Sequence, residues 1–192
     1  RAIACFQAVI EQVQGTEHDR WAEKASVCLA LAQSHLGQRD AARATADAVY
    51  RSLFGDRPHE NRGSAAYFIQ ILGQVYVNLA QFEVAESLFA KALSFSESSH
   101  YTQVQGKTLT GLAIMQRQRG EGTPAIATHQ QAIALLERLG AKCDLAEAYY
   151  QLGLTHLQRE DGQHKPAFET AIALFQSMSA PQQVAKVQRS AK

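Results

Sequence analysis

The feature of this sequence that most restricts its fold is a small residue that recurs roughly every 40 residues. The clearest copy begins at Ala85, and Phe89 and Ala92 follow it at the fourth and seventh positions. The other copies begin at Ala2, Ala42, Ala125 and, with a looser match, His164. Because this spacing places the three side chains on one face of an α-helix, each copy predicts a helix with one buried stripe.

A leucine followed by a small residue precedes these helices and predicts a partner helix for each. The four copies are Leu29-Ala30, Leu72-Gly73, Leu112-Ala113 and Leu152-Gly153. Gly37, Ala80 and Gly120 fall between the two predicted helices, where a helix C-terminus favours a residue that accepts positive φ. The sequence therefore predicts helix pairs joined by tight turns, with small residues where the backbones approach closely.

Residues 69–93 carry the whole pattern, and they resemble the tetratricopeptide repeat (TPR), a helix–turn–helix of alternating large and small residues. The period is longer than the family's usual value of about 34 residues. In its longer period, the chain resembles the TPR arrays of kinesin light chains and of bacterial signalling ATPases and transcription regulators. The resemblance implies an all-α fold: a right-handed α-solenoid of antiparallel helix pairs, a TPR superhelix whose concave face is lined by the first helix of each pair.

We expect a single TPR array over residues 1–192, cut from a longer protein because Arg1 stands at the start of a second helix. The expected segments are 1–14 (second helix of a truncated repeat), 16–54, 64–96, 101–139 and 144–179 (four repeats), and 181–190 (a helix capping the end). The longest loop is expected from Gly55 to Gly63, where turn formers and charges cluster.

Capping patterns predict where individual helices begin. The candidate N-terminal signals are Thr16 with Asp19, Asp40, Thr123 before Pro124, and Asp144 with Glu147. Pro166 is tolerated only near a helix start, so the second helix of the last repeat is expected to begin near Lys165 and to be short.

Composition and charge disfavour several functional classes. The formal net charge is only +1, which does not favour nucleic acid or an anionic membrane surface. No apolar run approaches the roughly 20 residues that a membrane-spanning helix needs. Cys5, Cys28 and Cys143 fit no metal motif, and we expect Cys5 and Cys28 to be buried thiols in a reducing cytoplasm.

No catalytic, cofactor or metal site is predicted. Gly106-Lys107-Thr108 matches only the end of a phosphate-binding loop, because Tyr101 stands where that loop needs its first glycine. The seven histidines show no paired ligand spacing, and His129 and His164 are expected to be hydrogen-bonded residues of the interior. Glu160 and Asp161 have the pattern of a turn with ordinary solvated charges.

The leucine followed by a small residue, which we call the leucine–small step, also shows which positions of each first helix face inward. These inward positions predict a groove. The candidate groove residues are Lys24, Leu31, Tyr67, Gln70, Gln74, Asn78, Lys107, Thr110, Ile114, Arg117, Tyr150 and Leu154. Val27, Ser34, His35, Val77, Glu147 and Gln158 belong to the same rows. Amide side chains donate and accept hydrogen bonds, so the Gln70–Asn78 row suits the backbone of an extended peptide. The nearby cations and the apolar pair at Tyr150 and Leu154 favour a peptide with an acidic and a hydrophobic element.

The predicted function is a non-catalytic scaffold that binds a partner peptide or helix in this groove. Two alternatives stay open: a self-associating or spacer segment, and a ligand-sensing regulatory domain of a bacterial multidomain signalling protein. A polar concave face is also compatible with simple solvation. The rows lack the Lys/Asn spacing of TPR domains that clamp the C-terminal carboxylate of chaperones, so a chaperone adaptor is not predicted.

Overall fold

The structure, a computed structural model, describes residues 1–18, 20–54 and 62–191, and within these ranges all of the regular secondary structure is helical. The helices are α1 (Ala2–Val13), α2 (Arg20–His35), α3 (Arg39–Phe54), α4 (Arg62–Asn78), α5 (Phe82–Ser98), α6 (Thr102–Gln118), α7 (Gly122–Leu139), α8 (Lys142–Arg159), α9 (His164–Ser177) and α10 (Pro181–Ser190). The prediction of an all-α fold is confirmed. None of these helices combines the length and the apolar character that crossing a bilayer requires.

Two compact units make up the chain, Arg1–Ser99 and His100–Lys192. In unit 1, which contains α1 to α5, each helix packs on the next, and α2 also packs on α4. In unit 2, which contains α6 to α10, each helix again packs on the next, and α6 packs on α8. Both units therefore bring the first helices of successive predicted repeats into contact.

Small residues allow the helices within each unit to approach closely, as the sequence predicts. A Cβ added to Gly73 of α4 would lie 2.6 Å from Cε1 of Phe89 on α5. In unit 2, a Cβ added to Gly153 of α8 would lie 2.5 Å from the ring of Phe168 on α9. Each phenylalanine is almost completely buried against the glycine of the preceding helix.

The predicted turn positions have the expected backbone. Gly37 and Gly120 adopt positive φ, and Ala80 does so at 59° despite its side chain. After α4, the amide N–H of Gln81 donates to the carbonyl of Tyr76, which is the bond that closes a helix with a left-handed residue. The prediction of tight turns at these positions is confirmed.

Three predicted helix starts are wrong by two or three residues. Asp40, Thr123 and Asp144 lie inside the first turns of α3, α7 and α8, not at their N-caps. An aspartate in the first turn is still favourable there because the helix N-terminus carries partial positive charge. Asp144 also has another role, because its carboxylate accepts hydrogen bonds from Lys107 and Gln103 of α6.

Thr16, predicted as the cap of the second helix, also has a different role in the structure. The Thr16 hydroxyl donates to the carbonyl of Val13 at 2.7 Å and accepts from the N–H of His18 at 3.1 Å, so it closes the turn after α1. Asp19 lies outside the described residues, as does the 55–61 part of the predicted loop. Helix α4 already begins at Arg62.

The last two helices match the prediction in position. Helix α9 begins at His164, beside the expected start, but it is 14 residues long and not short. Helix α10 begins and ends where the sequence predicts, and its Val187 is fully buried in a cluster with Phe168 and Phe175. Within unit 2, α10 therefore covers apolar residues of α8 and α9.

The expectation of two buried cysteines is wrong for Cys5. Helix α1 has no buried residue, and Cys5 on it is exposed. Cys28 is partly buried, which raises the pKa of its thiol. Cys143 is exposed.

Candidate functional site

In unit 1, the predicted amide row is tied together by its own hydrogen bonds. The Gln74 amide donates to Oδ1 of Asn78 at 3.1 Å, and the Asn78 amide donates to Oγ of Ser34 at 2.9 Å. The Ser34 hydroxyl donates in turn to the carbonyl of Leu31 at 2.8 Å. This chain of bonds links α4 to α2 through half-buried groups, so these amides position the two helices against each other.

Other inward positions of unit 1 are not accessible, which corrects the sequence-based map. Gln70 is only 6% exposed, and its Oε1 has no hydrogen-bond partner among the described residues. Val27 and Val77 are completely buried. These side chains point into the helix packing because α2 and α4 lie directly against each other and cover the middle of the row.

Accessible surface remains at the N-terminal part of these helices, in a cluster that we call the aromatic–lysine patch: Trp21, Lys24, Tyr67 and Phe68. The Lys24 Nζ lies 4.3 Å from the ring centroid of Trp21 and 5.5 Å from that of Phe68. Tyr67 meets Phe68 edge-on, with centroids 5.2 Å apart. Trp21 is 49% exposed and Tyr67 40%. The sequence analysis predicts Lys24 and Tyr67 as groove residues, but not Trp21, which lies outside the inward rows.

In unit 2, the corresponding helices are joined by charged groups. The Lys107 ammonium forms an ion pair with Asp144 at 3.2 Å. The Arg117 Nη1 donates to the backbone carbonyl of Gln151 at 3.2 Å, and the Gln158 amide donates to the carbonyl of Arg117 at 3.3 Å. Lys107 and Arg117 are thus predicted site residues that also bridge α6 and α8.

The apolar end of the predicted row is largely covered by α10, which corrects the expectation of an open surface at Tyr150. Tyr150 is 6% exposed, its hydroxyl lies 3.0 Å from that of Ser190, and the Lys186 Nζ stands 4.4 Å from its ring centroid. Lys186 also pairs with Glu147 at 3.4 Å. Leu154 is partly buried in the same cluster.

The remaining two positions of this row are on α6. Thr110 is 7% exposed, and its hydroxyl donates to the carbonyl of Gly106 at 3.0 Å, so it too is closed off from a ligand. Ile114 is half-buried.

The interior histidine of unit 2 differs from expectation in one respect. His129 on α7 is fully buried, as predicted, but neither ring nitrogen has a hydrogen-bond partner among the described residues. Burial, with smaller contributions from the charges of Arg117 and His156, lowers the pKa of His129 to about 3. The ring is therefore neutral at ordinary pH and packs as an apolar group. His164 is only half-buried, and its Nδ1 has no partner either.

The turn after α8 is more organised than a pair of solvated charges. Glu160 adopts a left-handed backbone at φ 55°. The Asp161 carboxylate lies 2.9 Å from Nδ1 of His156 and 3.3 Å from Nε of Arg159. The hydrogen bond from His156 is the main cause that lowers the pKa of Asp161.

A small cleft of about 120 Å³, which we call the arginine cleft, lies at the end of α6 beside the end of α8. Its lining residues are Arg117, Gly120, Gly122, Thr155, Gln158 and Arg159. Sequence mapping found Arg117 and Gln158 but missed Thr155 and Arg159, because they lie outside the inward row defined by the leucine–small step.

A depression of about 460 Å³ in unit 1 is on the side of the second helices α3 and α5. Tyr76 lines it and donates its hydroxyl to Asp47 at 2.7 Å; burial, followed by this bond, raises the pKa of the phenol. The depression is shallow, and Tyr50 and Val84 supply apolar surface to it.

Among the described residues, no three His, Cys, Asp or Glu side chains are placed to hold a metal ion. Comparison with known proteins finds no family model that matches the chain and no match among curated proteins. The class that the structure defines is therefore an all-helical protein in which successive helices pack together within each unit.

Proposed function

We propose that this chain is a non-catalytic interaction module of the TPR type, a right-handed solenoid of antiparallel helix pairs that binds a partner peptide. The recurring small–large pattern supports this proposal, as do the contacts of α2 with α4 and of α6 with α8. In such an array, these first helices form the continuous face that meets a ligand.

The observation that carries the proposal is the aromatic–lysine patch. Trp21 and Tyr67 leave large ring surfaces in contact with solvent, and such side chains dominate the energy of many interfaces. The Lys24 ammonium contacts the rings of both Trp21 and Phe68 and forms no ion pair with a carboxylate of the described residues. The patch therefore suits a peptide in which an aspartate or glutamate stands next to an aromatic or aliphatic residue.

The test is a selection of peptides from a random display library on the immobilised chain. Trp21 is the only tryptophan of the sequence, so its fluorescence reports directly on the patch when a selected peptide is titrated. We expect enriched peptides to share an acidic–apolar pair and to shift the Trp21 emission. Loss of the ammonium in Lys24→Gln is expected to weaken binding about tenfold, the effect of one charge-assisted contact.

Leu36→Ala is the matched control because Leu36 is an exposed apolar residue directly after the C-terminal end of α2, away from the patch. Binding that survives both Lys24→Gln and Trp21→Ala, or that Leu36→Ala weakens equally, would reject the patch as the binding surface.

Self-association is the second candidate, and one observation favours it. Helix α1 packs on α2 yet buries none of its residues completely. Phe6 and Ile10 remain partly exposed and Val9 is exposed, so the helix keeps an apolar surface that a second copy could cover. Sedimentation equilibrium over a range of concentrations tests this candidate. A mass that stays monomeric throughout would eliminate it, whereas dimers lost in Val9→Asp would support it.

A further inference from the structure

The arginine cleft contains a positive charge that the protein does not neutralise. The Arg117 guanidinium is half-buried and donates to one backbone carbonyl, that of Gln151. It forms no ion pair with any carboxylate of the described residues. Its electrostatic neighbour Glu147 is already engaged, because it accepts from Gln151 and pairs with Lys186. A guanidinium stays protonated in proteins, so this charge requires a counter-anion or solvent in the cleft.

A second guanidinium lies on the same cleft and is held in place. The Arg159 Nη1 donates to the hydroxyl of Thr123 at 2.7 Å, and its Nε lies 3.3 Å from Asp161. Asp161 is shared with His156 at 2.9 Å, so this one carboxylate offsets at most one of the two arginine charges. The lining itself therefore contains two guanidinium groups and no carboxylate, and Asp161 beside it is shared between Arg159 and His156.

Uncharged groups complete the lining. The Thr155 hydroxyl is buried and donates to the carbonyl of Gln151 at 3.0 Å, so it offers no proton to a ligand. The Gln158 amide donates one hydrogen to the carbonyl of Arg117 on α6 and has a second hydrogen to donate. Gly122 is the first residue of α7, where the N–H groups of the first turn lack partners within the helix and carry partial positive charge. Donors thus approach the cleft from Arg117 on α6, from Arg159 and Gln158 on α8, and from the first turn of α7.

We propose that the arginine cleft binds a phosphate group, either free or as a monoester. A planar carboxylate matches one guanidinium fork, whereas donors from three directions suit the tetrahedral arrangement of phosphate oxygens. The two guanidinium groups of the lining suit a dianion. The volume of about 120 Å³ admits such a group and little more. This site lies in unit 2 and does not depend on the peptide-binding proposal for unit 1.

The test is an NMR titration of the isotope-labelled whole chain with inorganic phosphate, O-phosphoserine and acetate at constant ionic strength. We expect saturable shifts at the Nε–H signals of Arg117 and Arg159 and at the backbone N–H of Gly122. Acetate should produce at most a small fraction of these shifts. Shifts with both phosphates assign the cleft to phosphate monoesters, and shifts with inorganic phosphate alone assign it to the free anion.

Three variants distinguish a built site from general positive charge. Arg117→Gln is expected to weaken phosphate binding about tenfold. Arg138→Gln removes an exposed arginine that, among the described residues, bonds to its own helix at the carbonyl of Ala134, and it should change nothing. Gly122→Ala keeps both arginines, but its Cβ would lie 2.8 Å from Cδ of Arg159 and displace that side chain, so binding should also fall.

Each of these variants is checked for an unchanged helical circular dichroism spectrum. If Arg117→Gln does not fold, Arg159→Gln replaces it, since Arg159 is exposed. Equal shifts with phosphate and acetate, or phosphate binding that persists in both Gly122→Ala and the arginine variant, would overturn the proposal.

Discussion

The helix pair α4–α5 of unit 1 and the pair α6–α7 of unit 2 are built on the same sequence pattern but differ at the centre of their contact. In the first pair, Phe89 packs against Gly73. In the second, Ala113 and His129 occupy the corresponding positions, and both are fully buried. Ala113 is larger than Gly73, and the ring of His129 is smaller than that of Phe89, so the total side-chain volume at the two centres is roughly the same.

This exchange replaces a hydrocarbon ring with one that can take up a proton. When the imidazole is neutral, both centres hold an uncharged buried ring, but only the ring of the second pair takes up a proton in acid. The centre of a helix pair can therefore carry a polar ring without a hydrogen-bond partner, and the consequence appears in the response to acid.

The largest expected effect is a loss of stability of unit 2 in acid. The pKa of His129 is about 3 in the fold, below its ordinary value of 6.5. Between these values the unfolded chain binds a proton that the folded chain does not, so the free energy of unfolding falls as pH decreases from about 6.5 to about 3. The loss attributable to His129 is on the order of 4 kcal/mol. Denaturant unfolding at a series of pH values measures it.

The control for this prediction replaces the two residues at the centre of the α6–α7 contact with those at the centre of the α4–α5 contact. Ala113→Gly combined with His129→Phe installs the pair found in unit 1 and should remove that part of the pH dependence, while His18→Gln, at an exposed histidine, should leave it unchanged. Hydrogen exchange would show α6–α7 losing protection in acid before α4–α5. If α4–α5 and α6–α7 lost protection at the same pH, or if the exchanged variant kept the pH dependence of the original chain, the buried histidine would not be what distinguishes the two pairs.

A second test concerns the close approach at Gly73. Gly73→Leu should lower the free energy of unfolding by about 3 kcal/mol or more, because even a Cβ there would lie 2.6 Å from the Phe89 ring. Thermal unfolding of Gly73→Leu, of Phe89→Ala and of the double variant forms a cycle in which the double variant should be less damaged than the sum of the two. Strict additivity would mean that these residues do not share one space, and that the assumed register of the pair is incorrect.

The sequence pattern predicted the helices and their turns because periodicity and positive-φ positions are local properties. It placed Gly73, Ala80 and the α10 boundaries correctly for that reason. It could not tell which inward positions stay accessible, since the burial of Gln70 and Tyr150 depends on how closely α2, α4, α8 and α10 pack.

The arginine cleft was hidden from the sequence for a related reason. Arg117 and Arg159 are far apart in the chain and meet only because the ends of α6 and α8 lie side by side. The sequence around Asp144 also fits a helix cap, which is a local pattern. Its ion pair with Lys107 depends on the packing of α6 against α8, which the sequence pattern does not give.

The smallest expected effect separates the two ways in which first helices are joined. Asn78→Ala breaks the neutral chain from Gln74 to Ser34 and should cost about 1 kcal/mol at any salt concentration. Asp144→Asn removes the ion pair with Lys107 and should cost about 0.5–1 kcal/mol at low salt, falling by about half in 1 M NaCl as the charges are screened. Urea unfolding of both variants at low and high salt measures the difference. A salt response in Asn78→Ala equal to that in Asp144→Asn would show that the amide bonds and the ion pair do not stabilise their units by different means.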